Sequence, residues 1–333
     1  MNRGALLVVL ALSGCAGRGV GREGLPAAPI AFVYWSVEET ERVSDEVKAR
    51  KAAAAESEDN KLDLRLGRIE QLAGVRTEQD LVRDQQGHLA LFVAPERRLE
   101  LPVSLPRGAR PLDWSDEHRL MFTWVQRDAH HLFEWNPETG EIGQLTSGPE
   151  SQIAGCYGPA GAIAFVQIDE PEGKQLVRVW VRRPGEAPQP VSEGPLDTQP
   201  SWSPSGERIV FVATDAHGDS LLRWVDPFGE ARGSYGPGRT PHFSPDGEWI
   251  VYAAHGAKGW RLRLMHADGS GKRAFGASSF EESDPSFSPD GRFVVFSVTR
   301  DKTSPVSQLF VRSLDGAADR ELDFAGSGLL PVW

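Results

Sequence analysis

One phrase recurs along the second half of the chain and fixes most of what it can fold into. Pro200-Ser-Trp202-Ser-Pro204-Ser-Gly206-Glu-Arg-Ile-Val-Phe211 returns as Pro241-His-Phe243-Ser-Pro245-Asp246-Gly247-Glu-Trp-Ile-Val-Tyr252. It returns again as Pro285-Ser-Phe287-Ser-Pro289-Asp290-Gly291-Arg-Phe-Val-Val-Phe296. Weaker copies start at Trp114 and Tyr157, and the chain closes on Pro331-Val-Trp333, the opening of one more unit. The markers Trp114, Tyr157, Trp202, Phe243, Phe287 and Trp333 lie 43, 45, 41, 44 and 46 residues apart. That period is the length of a four-stranded propeller blade, roughly 40 to 50 residues.

Each unit reads alike. A short strand carries the proline and the aromatic. The turn follows: Pro204, Pro245 and Pro289 preset φ, Asp246 and Asp290 bond the following backbone, and Gly206, Gly247 and Gly291 accept positive φ. The chain reverses into an Ile-Val-Phe run suited to a buried strand, and two further strands complete the unit. Ile30 to Tyr34 looks like a second strand with no first strand before it, while Pro331 to Trp333 is a first strand with no second after it. Joined, they make one blade from both ends of the chain and close a ring. Its remaining strands are expected at Leu89–Val93 and Leu99–Val103. The fold expected is all-β, a six-bladed β-propeller. A seventh blade from residues 62–104 would leave too short a step to Trp114.

These Pro-x-Trp/Phe-Ser-Pro-Asp-Gly units resemble the repeats of the TolB-type six-bladed β-propeller, over about residues 29–333. The resemblance is specific for fold and weak for function. TolB itself also carries an N-terminal α/β domain, whereas only a short tether stands before the first propeller strand. The resemblance therefore implies the propeller half alone. The same repeats accompany prolyl oligopeptidase-type hydrolases, but the sequence contains no Gly-x-Ser-x-Gly.

Composition limits the partners. The chain is 333 residues long with a formal charge of −11, which argues against nucleic acid. No apolar run reaches the roughly 18 residues of a membrane-spanning helix. Arg3, the apolar run Ala5 to Leu12 and Leu12-Ser-Gly-Cys15 read as a signal peptide ending in a lipobox. Residues 1–14 are then the signal, Cys15 the acylated residue and membrane anchor, and residues 15–28 a flexible Gly/Pro/Ala tether. Ala16 and Gly17 after the cysteine point to the outer membrane, facing the periplasm. The formal G-x-G-x-x-G of residues 19–24 lacks the flanking strand and helix of a dinucleotide site. Residues 37–87 break the blade rhythm. Their run of good helix formers, with Val43 and Val47 one turn apart, predicts a helical insertion in the first blade.

Chemistry is sparse. No metal motif or phosphate loop is present, and no cofactor is expected. His130, His131, His217 and His255 fall near third strands or in blade loops, where two histidines and nearby carboxylates could hold a metal. Cys156 reads as a buried, inert thiol. The loops leading into the first strands carry Arg110, Glu150, Asp197, Arg239 and Asp284, a mixed-charge set suited to a protein or peptide partner. Some of these carboxylates could instead tie their own loops. The leading expectation is a monomeric, non-enzymatic envelope lipoprotein that binds an envelope protein or peptide. The alternatives are a propeller hydrolase or lyase acting on envelope carbohydrate, in which His217, His255 and two carboxylates would meet, and a small-ligand or peptide sensor.

Overall fold

A computed structural model describes residues 25, 28–40, 42, 87–93, 98–102, 104–126, 129–215, 217–257, 259–276, 279–300, 307–315, 319–324 and 327–333. The strands arrive in blade order. Blade 1 holds β1 (Ile30–Trp35), β2 (His88–Val93) and β3 (Arg98–Glu100). Blade 2 holds β4 (Arg110–Trp114), β5 (Leu120–Gln126), β6 (Ala129–Trp135) and β7 (Ile142–Gln144). Blade 3 holds β8 (Ser151–Tyr157), β9 (Ile163–Asp169), β10 (Leu176–Arg182) and β11 (Gln189–Pro190). Blade 4 holds β12 (Asp197–Trp202), β13 (Ile209–Thr214), β14 (Ser220–Val225) and β15 (Arg232–Pro237). Blade 5 holds β16 (Arg239–Phe243), β17 (Trp249–Gly256), β18 (Gly259–His266) and β19 (Arg273–Ala274). Blade 6 holds β20 (Glu281–Phe287), β21 (Phe293–Thr299), β22 (Gln308–Ser313) and β23 (Arg320–Glu321). The last strand, β24 (Ser327–Val332), pairs antiparallel with β1 and completes blade 1.

Six four-stranded antiparallel sheets result, and each first strand touches the first strands of both neighbouring blades, so the ring closes. The expected six-bladed propeller, stitched shut by strands from both ends of the chain, is the fold.

The core lies between the blades. Each of the six junctions has its own apolar cluster. Leu89 and Leu91 meet Leu120 and Phe122 between blades 1 and 2, and Met121 and Leu132 meet Ile163 and Phe165 between blades 2 and 3. Val179 and Val181 meet Ile209 and Phe211 next, then Val210 and Val212 meet Ile250 and Tyr252. Val251 and Leu262 meet Val294 and Phe296, and Phe293 and Val295 meet Ile30 and Phe32 to finish the circle. A second strand is therefore covered on both faces, which is why β1 and β13 read as unbroken apolar runs rather than alternating ones.

The repeated turn is held as its residues dictate. Gly206, Gly247 and Gly291 have φ of 78°, 73° and 70°, and their N–H groups donate to the carbonyls of Ser203, Ser244 and Ser288 at 2.9, 2.9 and 2.8 Å. The serine before each proline adds a second tie. Ser203, Ser244 and Ser288 Oγ accept the N–H of Arg208, Trp249 and Phe293 at 3.0, 2.9 and 3.0 Å. A Cβ on Gly206 would stand 2.7 Å from Cγ of Pro159 in the preceding blade's turn, so the turns also interlock around the ring.

Ser36 opens a helix at residues 37–40 and 42. Its Oγ accepts the N–H of Glu39 at 3.2 Å, while Glu39 Oε2 accepts the N–H of Ser36 at 3.1 Å, a capping box. The rest of the expected helical insertion (residues 43–86), the signal segment, Cys15 and most of the tether lie outside the described residues. Among the described residues, no helix is long and apolar enough to cross a membrane.

Candidate functional site

Counting back from each marker aromatic puts equivalent residues in one column. The residue just before the marker is Asp113, Cys156, Ser201, His242, Ser286 or Val332. Its side chain accepts the backbone N–H of the marker in the next blade. Asp113 Oδ2 takes Tyr157 N–H at 2.7 Å, Ser201 Oγ takes Phe243 N–H at 3.1 Å, His242 Nδ1 takes Phe287 N–H at 3.4 Å, and Ser286 Oγ takes Trp333 N–H at 3.1 Å. The Cys156 sulfur takes that of Trp202. The sixth junction has Val332, which has no acceptor. There Asp113 supplies its second oxygen, and Oδ1 takes the N–H of Trp114 at 2.9 Å. The Trp114 N–H is thus satisfied within its own strand rather than from the preceding blade.

These hydrogen bonds tie five of the six marker residues to the preceding blade around one end of the propeller, the end bearing the Ser-Pro-x-Gly turns. All six markers line a cavity of about 1340 Å³ there. On the blade 2 side the wall is ionic. Glu134 accepts from Tyr157 Oη at 2.9 Å and from Arg119 Nη1 at 3.0 Å. Burial pushes the Asp113 carboxyl up to about 7, against the two N–H groups that pull it down. Burial holds His242 down at about 4, so the ring is neutral near pH 7. With Nδ1 accepting from Phe287, its proton sits on Nε2. Burial raises the thiol of Cys156, which the structure buries on an inner strand as its sequence context implies.

Three positions before the markers stand Pro111, Ala154, Gln199, Thr240, Asp284 and Leu330. All but Pro111 have positive φ, between 44° and 53°, at a bulge in the inner strand. Pro111 cannot adopt it because its ring locks φ negative. Thr240, β-branched at φ 49°, is the most strained of the set, and its N–H is secured by Gln199 Oε1 of the preceding blade at 3.0 Å.

The residues singled out from sequence sit toward the opposite, loop mouth. Arg110, Asp197 and Arg239 begin inner strands, Glu150 immediately precedes one, and Asp284 is the bulge residue of β20. Asp197 is buried, and its Oδ2 accepts the N–H of Gly194 at 2.7 Å, so it ties its own loop. Arg239 lies 3.7 Å over the ring of Trp260. Asp284 accepts the Ser283 hydroxyl at 2.9 Å. Arg110 and Glu150 are half-buried. None of the five lines the turn-mouth cavity.

The histidines scatter. His130 and His131 lie within β6 rather than beside it. His131 is buried with Nδ1 2.7 Å from Gln152 Oε1, and burial lowers His130 to about 4. His217 belongs to a turn capped by Asp215, and His255 stands edge-on to Trp260 with ring centroids 5.3 Å apart. Among the described residues, no three His, Cys, Asp or Glu side chains gather as metal ligands, so His217, His255 and two carboxylates do not meet.

Six four-stranded blades closed into a ring, with the six marker residues bordering the cavity at one mouth, define a six-bladed propeller. The TolB beta propeller domain matches residues 111–333, and the chain belongs to that family. No curated protein matches the chain. Among solved structures, TolB from Acinetobacter baumannii superposes with a TM-score of 0.63 at 15% identity, over 92% of this chain and 66% of that one. A protein from Agrobacterium tumefaciens assigned as TolB gives 0.57 at 17%, over 70% and 87%. The hydrazine synthase of Kuenenia stuttgartiensis gives 0.62 at 12%, over 92% and 47%. The fold is thus shared with TolB proteins and with an enzyme, and does not by itself select an activity.

Proposed function

We propose that this chain is a non-enzymatic scaffold of the bacterial envelope that binds a protein or peptide at a propeller mouth. The observation that carries the reading is the turn-mouth cavity: an opening of about 1340 Å³ bordered by the six marker residues, whose backbone is held by hydrogen bonds from blade to blade. A surface held in place before its partner arrives loses little freedom on binding. The lipobox at Cys15 supports a lipid-anchored protein at the outer membrane facing the periplasm, with residues 15–28 as tether and residues 29–333 as a monomeric propeller. The negative charge argues against nucleic acid. Arg110, Glu150 and Arg239 offer further contacts at the loop mouth, with Asp197 fastening its loop and Asp284 shaping the bulge. The carbohydrate-enzyme reading ranks below this one because its histidines and carboxylates lie apart.

In-cell cross-linking with mass spectrometry on the native lipoprotein, beside a variant lacking residues 38–86, tests the reading. A discrete envelope protein captured by both forms supports a site at the mouths, and one lost in the variant moves the site to the insertion. No partner in either, or defined turnover by the purified protein, overturns it.

A further inference from the structure

The two parts of the chain that do not belong to the blades leave the propeller from opposite sides. Ala28 and Pro29, just before β1, line the turn-mouth cavity. The carbonyl of Ala28 accepts the indole N–H of Trp333 at 3.0 Å, and Leu25 packs against the cluster between blades 6 and 1. From there β1 runs across the ring to the loop side, where Ser36 opens the helix that leads toward residues 43–86. Glu39 of that helix is held on the loop side by His88 at 3.3 Å and by Arg107 of the loop into β4.

We infer that the turn mouth faces the lipid surface to which Cys15 is anchored, and that the loop mouth and the insertion face away from it. Residues 16–27 are the chain between Cys15 and Ala28, and fully extended they reach about 45 Å. To bring the loop mouth to the membrane, this stretch would have to pass round the outer edge of blade 1. The path crosses three strand spacings and then the height of a blade, roughly 35 Å in all. The detour uses most of the tether, whereas the turn side uses none of it. Charge sets how close the face comes. Asp116, Glu117, Glu207, Asp246 and Glu248 are exposed on the turns, and anionic headgroups repel them. The turn face therefore stands off the bilayer, within the reach of the tether, instead of lying flat on it. A partner taken at the turn mouth comes from the same membrane or from this gap, while the insertion is offered to the opposite side. The inference rests on the reading of Cys15 as an acylated anchor and adds the orientation of the propeller.

The test uses the full lipoprotein in vesicles of phosphatidylethanolamine and phosphatidylglycerol that carry an acceptor dye on their headgroups. A donor dye is placed on Glu207→Cys, in the turn between β12 and β13, or on Lys174→Cys, between β9 and β10 on the loop side. Both side chains are exposed, and the native Cys156 is buried away from the label. Thermal melting checks that each variant keeps the fold. Energy transfer to the membrane is expected to be at least about twofold greater from position 207, because the height of a blade, about 20 Å, separates the two sites. Equal transfer, or greater transfer from position 174, overturns the inference and leaves the anchored-scaffold reading standing. Intact mass shows whether Cys15 carries acyl chains. A chain without them overturns the anchor and the orientation together.

Discussion

At the scale of single residues, the repeat's serines and one aspartate carry more than their sequence context announces. Ser288 is fully buried. Its Oγ accepts from Phe293 N–H and donates toward Asp290 at 2.7 Å. Ser288→Ala leaves that N–H without its side-chain acceptor and should cost about 1–3 kcal/mol, read as a lower urea midpoint with unchanged slope. Asp113 makes a pH prediction. Its folded-state pKa of about 7 lies above the ordinary carboxyl value near 4, so the folded protein holds this proton more tightly than the unfolded chain. The contribution favours folding in full below about pH 4 and is lost as pH rises through about 7. His130 and His242, held at about 4, act in the opposite sense over an overlapping range. The difference between wild type and Asp113→Asn isolates the aspartate. Thermal melts from pH 5 to 8 should show wild type losing stability relative to the variant as pH rises, and a constant difference would contradict this.

At the scale of elements, the junction between blades 5 and 6 contains an ion-pair network enclosed by apolar packing. Arg312 and Glu282 are each 1% exposed and 2.6 Å apart. Arg312 also donates to the carbonyl of Phe275 and pairs with Asp319 at 2.6 Å, while Glu282 Oε2 accepts the N–H of Leu262 on β18. Arg312→Ala leaves a buried carboxylate without its cation and should cost about 3–5 kcal/mol. Adding Glu282→Gln should recover part of that loss, as measured by a double-mutant cycle in urea. The sequence made the turns and second strands legible because the constraint there is local: Pro presets φ, Gly accepts positive φ, and an apolar run fits between two sheets. It did not reveal Arg312 and Glu282 as partners, because 30 residues separate them and only the pairing of β20 and β22 with β21 in one sheet brings them together. Nor did it reveal Asp113. The column of residues preceding each marker was visible, but that Val332 breaks it and Asp113 compensates appears only when β24 is placed beside β4.

At the scale of the molecule, the ring depends on β24. It supplies the inner strand of blade 1, and the Trp333 indole N–H donates a hydrogen bond to the carbonyl of Ala28 at 3.0 Å, tying the two ends of the propeller together. Removing residues 327–333 strips Leu329 from the cluster within blade 1 and Trp333 from the cluster between blades 6 and 1, and exposes the edge of β1. The truncated chain should lose its cooperative melt and become readily cleaved by protease, and a melt like that of the full chain would contradict closure by both ends. The six-blade closure was legible because the markers count out the blades. The turn-mouth cavity was not. The sequence drew attention to charged residues leading into the strands, while the cavity formed at the other end, where side chains from six separate repeats converge.

The central claim is that this propeller works by binding at its turn mouth. The most direct measurement is site-specific photo-cross-linking in cells, with the photoreactive residue placed at Glu138 on the turn mouth and, separately, at Glu150 toward the loop mouth. The expected result is a discrete protein adduct from position 138. An adduct from position 150 alone, or none from either position, would contradict it.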